Sequence, residues 1–390
     1  MTKDEIYKYL KFSEDFSVGD WNDLIAIKFK RYFRNDDVFF SNKEVLRTEI
    51  INYIQFSEKP EYLKLFDWAF LIFKECIERD EELALKALAD SFYEVSDTDL
   101  KWMTNVIIQP DSLTFSKRDK ISYYFKVIDE IIEGVFKPRF KLLDKFVCYK
   151  TASIYCDNSK NDFGNLIQNF PSSESNSATL FLKDPILSIS TNQWRNISAH
   201  KTFVISKNYI TLNYGKANIK TINIDFKKLK QILNWVQNIY RVIRLAEVFI
   251  YLNYTEQIVN ILGGTSKMNL RFESSLMHLI HNLQVVGFQF IATEELNNIF
   301  VLKLKIKAND DLKSSIIHAS QCLDQLSSAV FDDEFTRDKY NKVRVEMVDD
   351  LTEKCASASV EINIAMKKVK NEMILDDYIQ NIDFKINNFA

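Results

Sequence analysis

The stretch that decides the reading runs from Asp184 to Phe203, DPILSISTNQWRNISAHKTF. Ser190 or Thr191 suits an N-cap, because a side-chain oxygen there satisfies an N–H that the first helical turn leaves open. The pattern predicts a short helix carrying Trp194 to His200, with Trp194 as a core residue. Arg195 and His200 are five positions apart, about 140° on a helix of 3.6 residues per turn, so they do not share a face. Either the helix ends near His200, or any site they form is completed across a dimer. Asn196 and His200 are four apart and do share a face. Asn196 is therefore placed to hydrogen-bond the imidazole and set its tautomer, and the small Ala199 leaves room for close approach.

Working outward, the upstream residues Ile121, Phe125, Ile128, Ile131, Ile132, Val135 and Phe136 keep a helical rhythm from Ser116. Pro138 kinks or breaks that helix, and Leu142, Leu143, Phe146 and Val147 continue its apolar face. A polar loop over 157–162, the segment FGNLIQNF and the loop-like PSSESNSA (171–178) follow. Downstream, FVISKNYITLNYGKANIKTINI alternates apolar and polar residues around Lys207-Asn208 and Gly215, which predicts a small hairpin or extended arms. Asp225 then caps a helix whose apolar face is Leu229, Ile232, Leu233, Val236, Ile239, Tyr240 and Ile243, continuing towards Tyr251.

The R-N-x-x-A-H run, Arg195-Asn196-Ile197-Ser198-Ala199-His200, resembles the signature of HEPN-domain ribonucleases of the abortive-infection or toxin type. The order of elements around it, over 117–252, is similar to the HEPN helical bundle. The resemblance implies a two-fold dimer that brings two Arg/His sets into one cleft, with Arg195, Asn196 and His200 as catalytic residues. It implies a metal-independent endoribonuclease acting on single-stranded RNA such as tRNA, a toxin or antiviral effector that needs no cofactor. A separate antitoxin or sensor protein is the further partner implied. The alternative is a catalytically silent HEPN-like scaffold that holds RNA or protein; a purely structural helical adaptor is a third reading.

The chemistry supports the comparison. RNA is cut without metal when its 2′-OH becomes a nucleophile against the adjacent phosphate. That needs a group that exchanges a proton near neutral pH, which histidine does. It also needs a fixed cation on the phosphate, which a guanidinium supplies through paired N–H donors. Local charge agrees: between Thr191 and Ala246 ten Lys and Arg oppose Asp225 alone, leaving +9 in a chain of net charge −3. A phosphate backbone is drawn to such a surface. Lys201, Lys207, Lys216 and Lys220 are the RNA-binding candidates, with Tyr209, Tyr214 and Phe203 available to stack unpaired bases. Two such segments at a dimer axis repel, and Glu130 and Glu133 are the acids expected to offset this.

The rest of the chain reads as follows. With 390 residues, two or three domains are expected, and the pattern divides them as 1–116, 117–252 and 253–390. The fold expected is mainly α: a helical N-terminal region, a HEPN-like bundle in the centre, and a smaller α+β C-terminal region. Only 7 Gly and 5 Pro against 30 Phe and 17 Tyr exclude both a turn-rich all-β protein and general disorder. The acidic run from Glu75 to Asp99 reads as a solvated helix face and loop, or as a docking site for a basic partner. A hairpin is expected around Glu294 to Asn298, with further helices over 311–329 and towards the C-terminus. The five cysteines read as free thiols in a reducing, cytoplasmic compartment, and no signal peptide or membrane span is expected. His278 and His281 are three apart but lack a third metal ligand. Gly263-Gly264-Thr265-Ser266-Lys267 departs from the phosphate-loop pattern and reads as a turn.

Overall fold

The computed structural model describes residues 18–107, 116–155, 158, 161–215, 218–263, 275–276, 279–280, 282–283, 288–305, 312–333, 336–349 and 354–388. The chain is mainly helical and divides into two compact bodies, one spanning Asp15–Thr265 and the other built from residues beyond it. Among the described residues no helix is long and apolar enough to cross a membrane.

The first body begins with α1 (Val18–Phe29), α2 (Asp36–Ser41), α3 (Lys43–Ser57), α4 (Pro60–Arg79) and α5 (Glu81–Ile107). Pro60 stands at the first helical position of α4, where its missing N–H costs nothing and its fixed φ already suits the helix. A long rod follows: α6 (Lys117–Asp129), a π-helical segment Glu130–Phe136, and α7 (Lys137–Ala152). Short helices α8 (Phe163–Gln168), α9 (Ser172–Ser175) and α10 (Thr179–Leu182) lead to α11 (Thr191–Ala199). Then come β1 (Phe203–Ile205), β2 (Ile210–Tyr214), β3 (Lys220–Ile224), α12 (Phe226–Asn253) and α13 (Thr255–Ile261).

Helix α12 is the axis of this body. Asp225 caps it, its carboxylate accepting from the Lys228 backbone N–H at 2.7 Å. The expected amphipathic face holds in the first half, where Leu229, Ile232 and Val236 are buried and Lys227, Lys228, Lys230 and Asn234 exposed; from Asn238 to Ile250 only Arg241 and Val248 keep part of their surface. The N-terminal helices close over the second half: the Phe249 ring meets Phe29, Tyr32, Phe33 and Phe66 at centroid distances of 4.8–5.8 Å.

The charged groups buried there come from both sides of residue 116. Arg139, 1% exposed, donates to Thr98 Oγ1 at 2.8 Å and Asp99 Oδ1 at 2.6 Å, and pairs with Glu247. Arg244 pairs with Asp99 at 2.7 Å and with Glu49 at 2.6 Å, and the Tyr240 hydroxyl donates to Asp99 at 3.0 Å. The boundary expected at 116–117 therefore does not separate compact bodies. Most of the acidic run is the solvated helix face expected, with Glu75, Glu78, Glu81, Glu82, Asp90 and Glu94 exposed, but Asp80 alone stands where a loop was expected and Asp99 faces inward.

Pro138 neither breaks the rod nor ends it. Proline cannot donate to the carbonyl four residues back, and the turn before it is π-helical, with the Lys137 N–H bonded to Ile132 O. The expected hairpin or arms after His200 are a three-stranded antiparallel sheet ordered β1-β2-β3. PSSESNSA contains the turn α9, whose Glu174 accepts from the Trp68 indole at 2.8 Å.

The second body carries a five-stranded mixed sheet in the order β4 (Gln289–Leu296), β5 (Ile299–Lys305), β6 (Lys342–Asp349), β7 (Lys354–Glu361), β8 (Asp383–Asn388). The expected hairpin is β4–β5. Asn297 and Asn298 turn it at φ 45° and 65°, a left-handed pair that asparagine tolerates. Strands β5 and β6 are parallel, joined through α14 (Leu312–Ser320) and α15 (Leu323–Asp332); α16 (Ile362–Val369) and α17 (Leu375–Gln380) join β7 to β8. Strands β6, β7 and β8 were not expected. His278, His281 and most of the Gly263–Lys267 stretch lie outside the described residues.

Candidate functional site

Helix α11 is held by its own core. The Trp194 side chain is fully buried, and its indole N–H donates to Asp184 Oδ2 at 2.9 Å. The same carboxylate accepts the backbone N–H groups of Ile186, Leu187 and Ile189. Ser190 occupies the N-cap, but its hydroxyl donates to Asn192 Oδ1 at 2.6 Å rather than to the backbone. The helix ends at His200. The Lys201 N–H bonds to Ser198 O and the Thr202 N–H to Ile197 O, the paired closure of a Schellman turn. That turn needs a left-handed residue, and Lys201 fills it at φ 53°, where glycine is the usual occupant.

The helix end gives His200 an exposed position at the C-cap. Among the described residues no side chain hydrogen-bonds its imidazole. Asn196 does not set the tautomer as expected. Its Oδ1 accepts from Arg195 Nη1 at 3.3 Å, and its link to His200 is backbone to backbone. Arg195, one-third exposed, pairs through Nε with Glu133 Oε2 at 3.2 Å, and Glu133 also holds Lys137. The 3.2 Å contact is an ion pair only, since its angle does not make a hydrogen bond.

Asp129 is the residue that sequence reasoning missed. Burial pushes its carboxyl above the ordinary range; Arg195 opposes this, Glu133 and Glu130 add to it, and His200 pulls it down. Its Oδ1 is buried and has no hydrogen-bond partner among the described residues. Asp129 thus feels the fields of both Arg195 and His200. One signal was available: Asp129 is the last residue of α6, one position before Glu130, which had been singled out.

Two cavities flank the motif. One of about 820 Å³ runs between α6 and β1, lined by Arg118, Lys126, Asp129, Ser198, Ala199 and Lys201 among others. The other, about 350 Å³, lies behind Arg195 between the rod, α8 and α11. Glu130, half-exposed, pairs with Lys126 at 3.5 Å.

The basic cluster is smaller than the charge count implied. Arg244 is buried in its ion pairs, and Arg241 lies over the Trp102 ring and donates to Asn238. Lys201, Lys207, Lys220, Lys227, Lys228 and Lys230 are exposed. Lys207 lies in the β1–β2 turn and Lys220 opens β3 opposite Tyr214. Lys216 lies outside the described residues. Tyr209 is 46% exposed, whereas the Phe203 ring is stacked on Phe125 at 3.9 Å and has one face already covered. Among the described residues no group of three or more His, Cys, Asp or Glu is placed to hold a metal ion.

Comparison with protein-family models finds no match, and comparisons with curated proteins and with solved structures find no significant match.

Proposed function

We propose that this protein is a HEPN-type, metal-independent endoribonuclease acting on single-stranded RNA, with tRNA as one candidate, as a toxin or antiviral effector in the cytoplasm. The observation that carries the reading is the α11 terminus. An exposed imidazole at its C-cap and a guanidinium on its flank both act on Asp129, beside a groove lined by Arg118, Lys126 and Lys201. In the reaction the 2′-oxygen attacks phosphorus as His200 takes its proton. The bond to the 5′-oxygen breaks, and that oxygen gains a proton, leaving a 2′,3′-cyclic phosphate and a 5′-OH. Arg195 holds the phosphate and its developing charge. A homodimer through residues 117–252 supplies a second His200 as acid, and an antitoxin or sensor protein restrains the enzyme.

A silent RNA- or protein-binding scaffold is the second reading, favoured by one observation: Glu133 and Asn196 already engage Arg195. The test is incubation of the purified protein with labelled tRNA in EDTA, wild type beside His200→Ala. Cleavage in the wild type alone supports the enzyme. Binding without cleavage supports the scaffold, and full inhibition by chelator with rescue by a divalent ion refutes the Arg/His chemistry. Mixing Arg195→Ala with His200→Ala subunits tests the shared site: recovered activity requires it.

A further inference from the structure

We infer that the cavity behind Arg195 reads a base with the carbonyl and ring N–H edge of uracil or guanine, next to the phosphate that Arg195 holds. The inference rests on the RNA reading and names its substrate class. Five side-chain amides line this cavity; Asn165 and Gln168 stand on its exposed side, and in the three carried by α11 the oxygen is already used by the protein. Asn192 Oδ1 accepts from the Ser190 hydroxyl at 2.6 Å. Gln193 Oε1 accepts from the Gly215 N–H at 3.0 Å, and Asn196 Oδ1 from Arg195 at 3.3 Å. A backbone N–H and a guanidinium only donate, so the orientations of the last two amides are fixed by their partners. What remains for a ligand is the NH₂ end of each. Among the described residues none of these nitrogens has an acceptor, and Asn192 is only 8% exposed.

A ligand in the cavity that brings an oxygen to the Asn192 amide nitrogen would give it an acceptor among residues that supply none. An acceptor is present as well: the lining residue Asp162 takes the Asn165 N–H on Oδ1 at 2.7 Å, and among the described residues no donor engages its Oδ2. A donor beside an acceptor complements a carbonyl beside a ring N–H, the pair that uracil and guanine share. Adenine and cytosine present an amino group where the carbonyl is needed, and set donor against donor. The wall also includes the Glu133–Lys137 pair and Phe163, which is buried, fixed edge-on against Phe136 and Phe140, and offers an apolar surface to a flat ring. Gly164 keeps the space open, since a Cβ there would stand 3.3 Å from Asn192 Nδ2 and 3.2 Å from Asp162 Oδ1. The volume of about 350 Å³ is at the small end of small-molecule sites.

The experiment titrates nucleoside 3′-monophosphates into full-length protein carrying His200→Ala, so that binding is read apart from cleavage. Uridine against cytidine, and inosine against adenosine, differ mainly at the edge in question. The expected result is a preference of about tenfold or more for uridine and for inosine, roughly one lost hydrogen bond. Asn192→Asp and Gln193→Glu each keep the oxygen that the protein uses and replace the donor, and each should abolish or reverse that preference. Gln193 is partly exposed, so its variant preserves the test if Asn192→Asp fails to fold. Equal affinity for all four nucleotides, no binding of any, or a preference unchanged in folded variants would overturn the inference. Preference without wild-type cleavage refutes the ribonuclease alone, and cleavage without preference refutes the base pocket alone.

Discussion

Replacing Arg139 with methionine should destabilise the first body by about 3–5 kcal/mol, the cost of removing one partner from a buried ion pair. The structure supports the upper part of that range. Arg139 donates to Thr98 Oγ1, Val95 O and Asp99 Oδ1 and pairs with Glu247. Methionine fills much of the volume but satisfies none of these groups, and each buried group left open costs about 1–3 kcal/mol. Arg244 and Tyr240 still serve Asp99, which limits the sum. For a unit of this size each kcal/mol moves the midpoint by about 2–4 °C, so the melting temperature should fall by about 6–20 °C. The assay is thermal unfolding by circular dichroism at pH 6, with Glu247→Gln as the control. Burial pushes the Glu247 carboxyl up to about 8. At pH 6 it then holds a proton, so the ion pair that Arg139→Met removes there is the one with Asp99, and the Glu247 amide, which keeps an acceptor for Arg139, should cost under about 1 kcal/mol. A fall of less than about 2 °C for Arg139→Met, or equal losses in both variants, would refute the view that Arg139 ties the N-terminal helices to α12.

The same carboxyl sets a pH dependence. Between its ordinary value of 4.5 and about 8 the folded protein holds a proton that the unfolded chain has released. Its contribution is full below about 4.5 and is lost as pH rises through 8; Glu247→Gln should flatten the decline in melting temperature over that window. His200→Ala should remove RNA cleavage and leave the melting temperature within about 1 °C, because the exposed imidazole makes no side-chain hydrogen bond among the described residues; a lower midpoint would make His200 a structural residue. Lys201→Gly should raise stability by up to about 1 kcal/mol, by relieving a left-handed lysine, while lowering by about 1 the salt slope of RNA binding; a loss of stability would contradict the strain argument.

The two ends of α11 were legible because capping and termination are local: Ser190 before the helix and the stop at His200 follow from a few neighbouring residues. The cap at Asp225 and the turn at Asn297-Asn298 were legible for the same reason. Burial of charge was not. Arg244 and Arg241 look like surface cations along the sequence, and only packing shows that Asp99, Glu49 and Trp102 had claimed them. The division at 116 failed on the same point, since nothing local reveals that Thr98 and Asp99 meet Arg139. Strand β6 was missed although KVRVEMVD alternates, a signal that was there to be read; β7, KCASASVE, carries small residues of weak strand preference and is held by its neighbours β6 and β8. The amides that line the cavity beside Gly164 come from α8 and α11, two segments of ordinary composition, and no spacing rule connects one to the other.

The π-helical segment Glu130–Phe136 gives the long rod two phases. An extra residue in one turn rotates everything after it relative to everything before, so α6 keeps a register suited to β1 and the start of α12, while α7 keeps one suited to α4 and α5. The change of phase falls where Glu133 reaches Arg195. Deleting Gly134 would straighten the rod into one continuous α-helix and force a choice between those registers: either Arg139 would lose its buried partners, or Asp129 and Glu133 would turn away from α11. The irregularity is thus a splice between the part of the molecule that holds it together and the part that carries the candidate site.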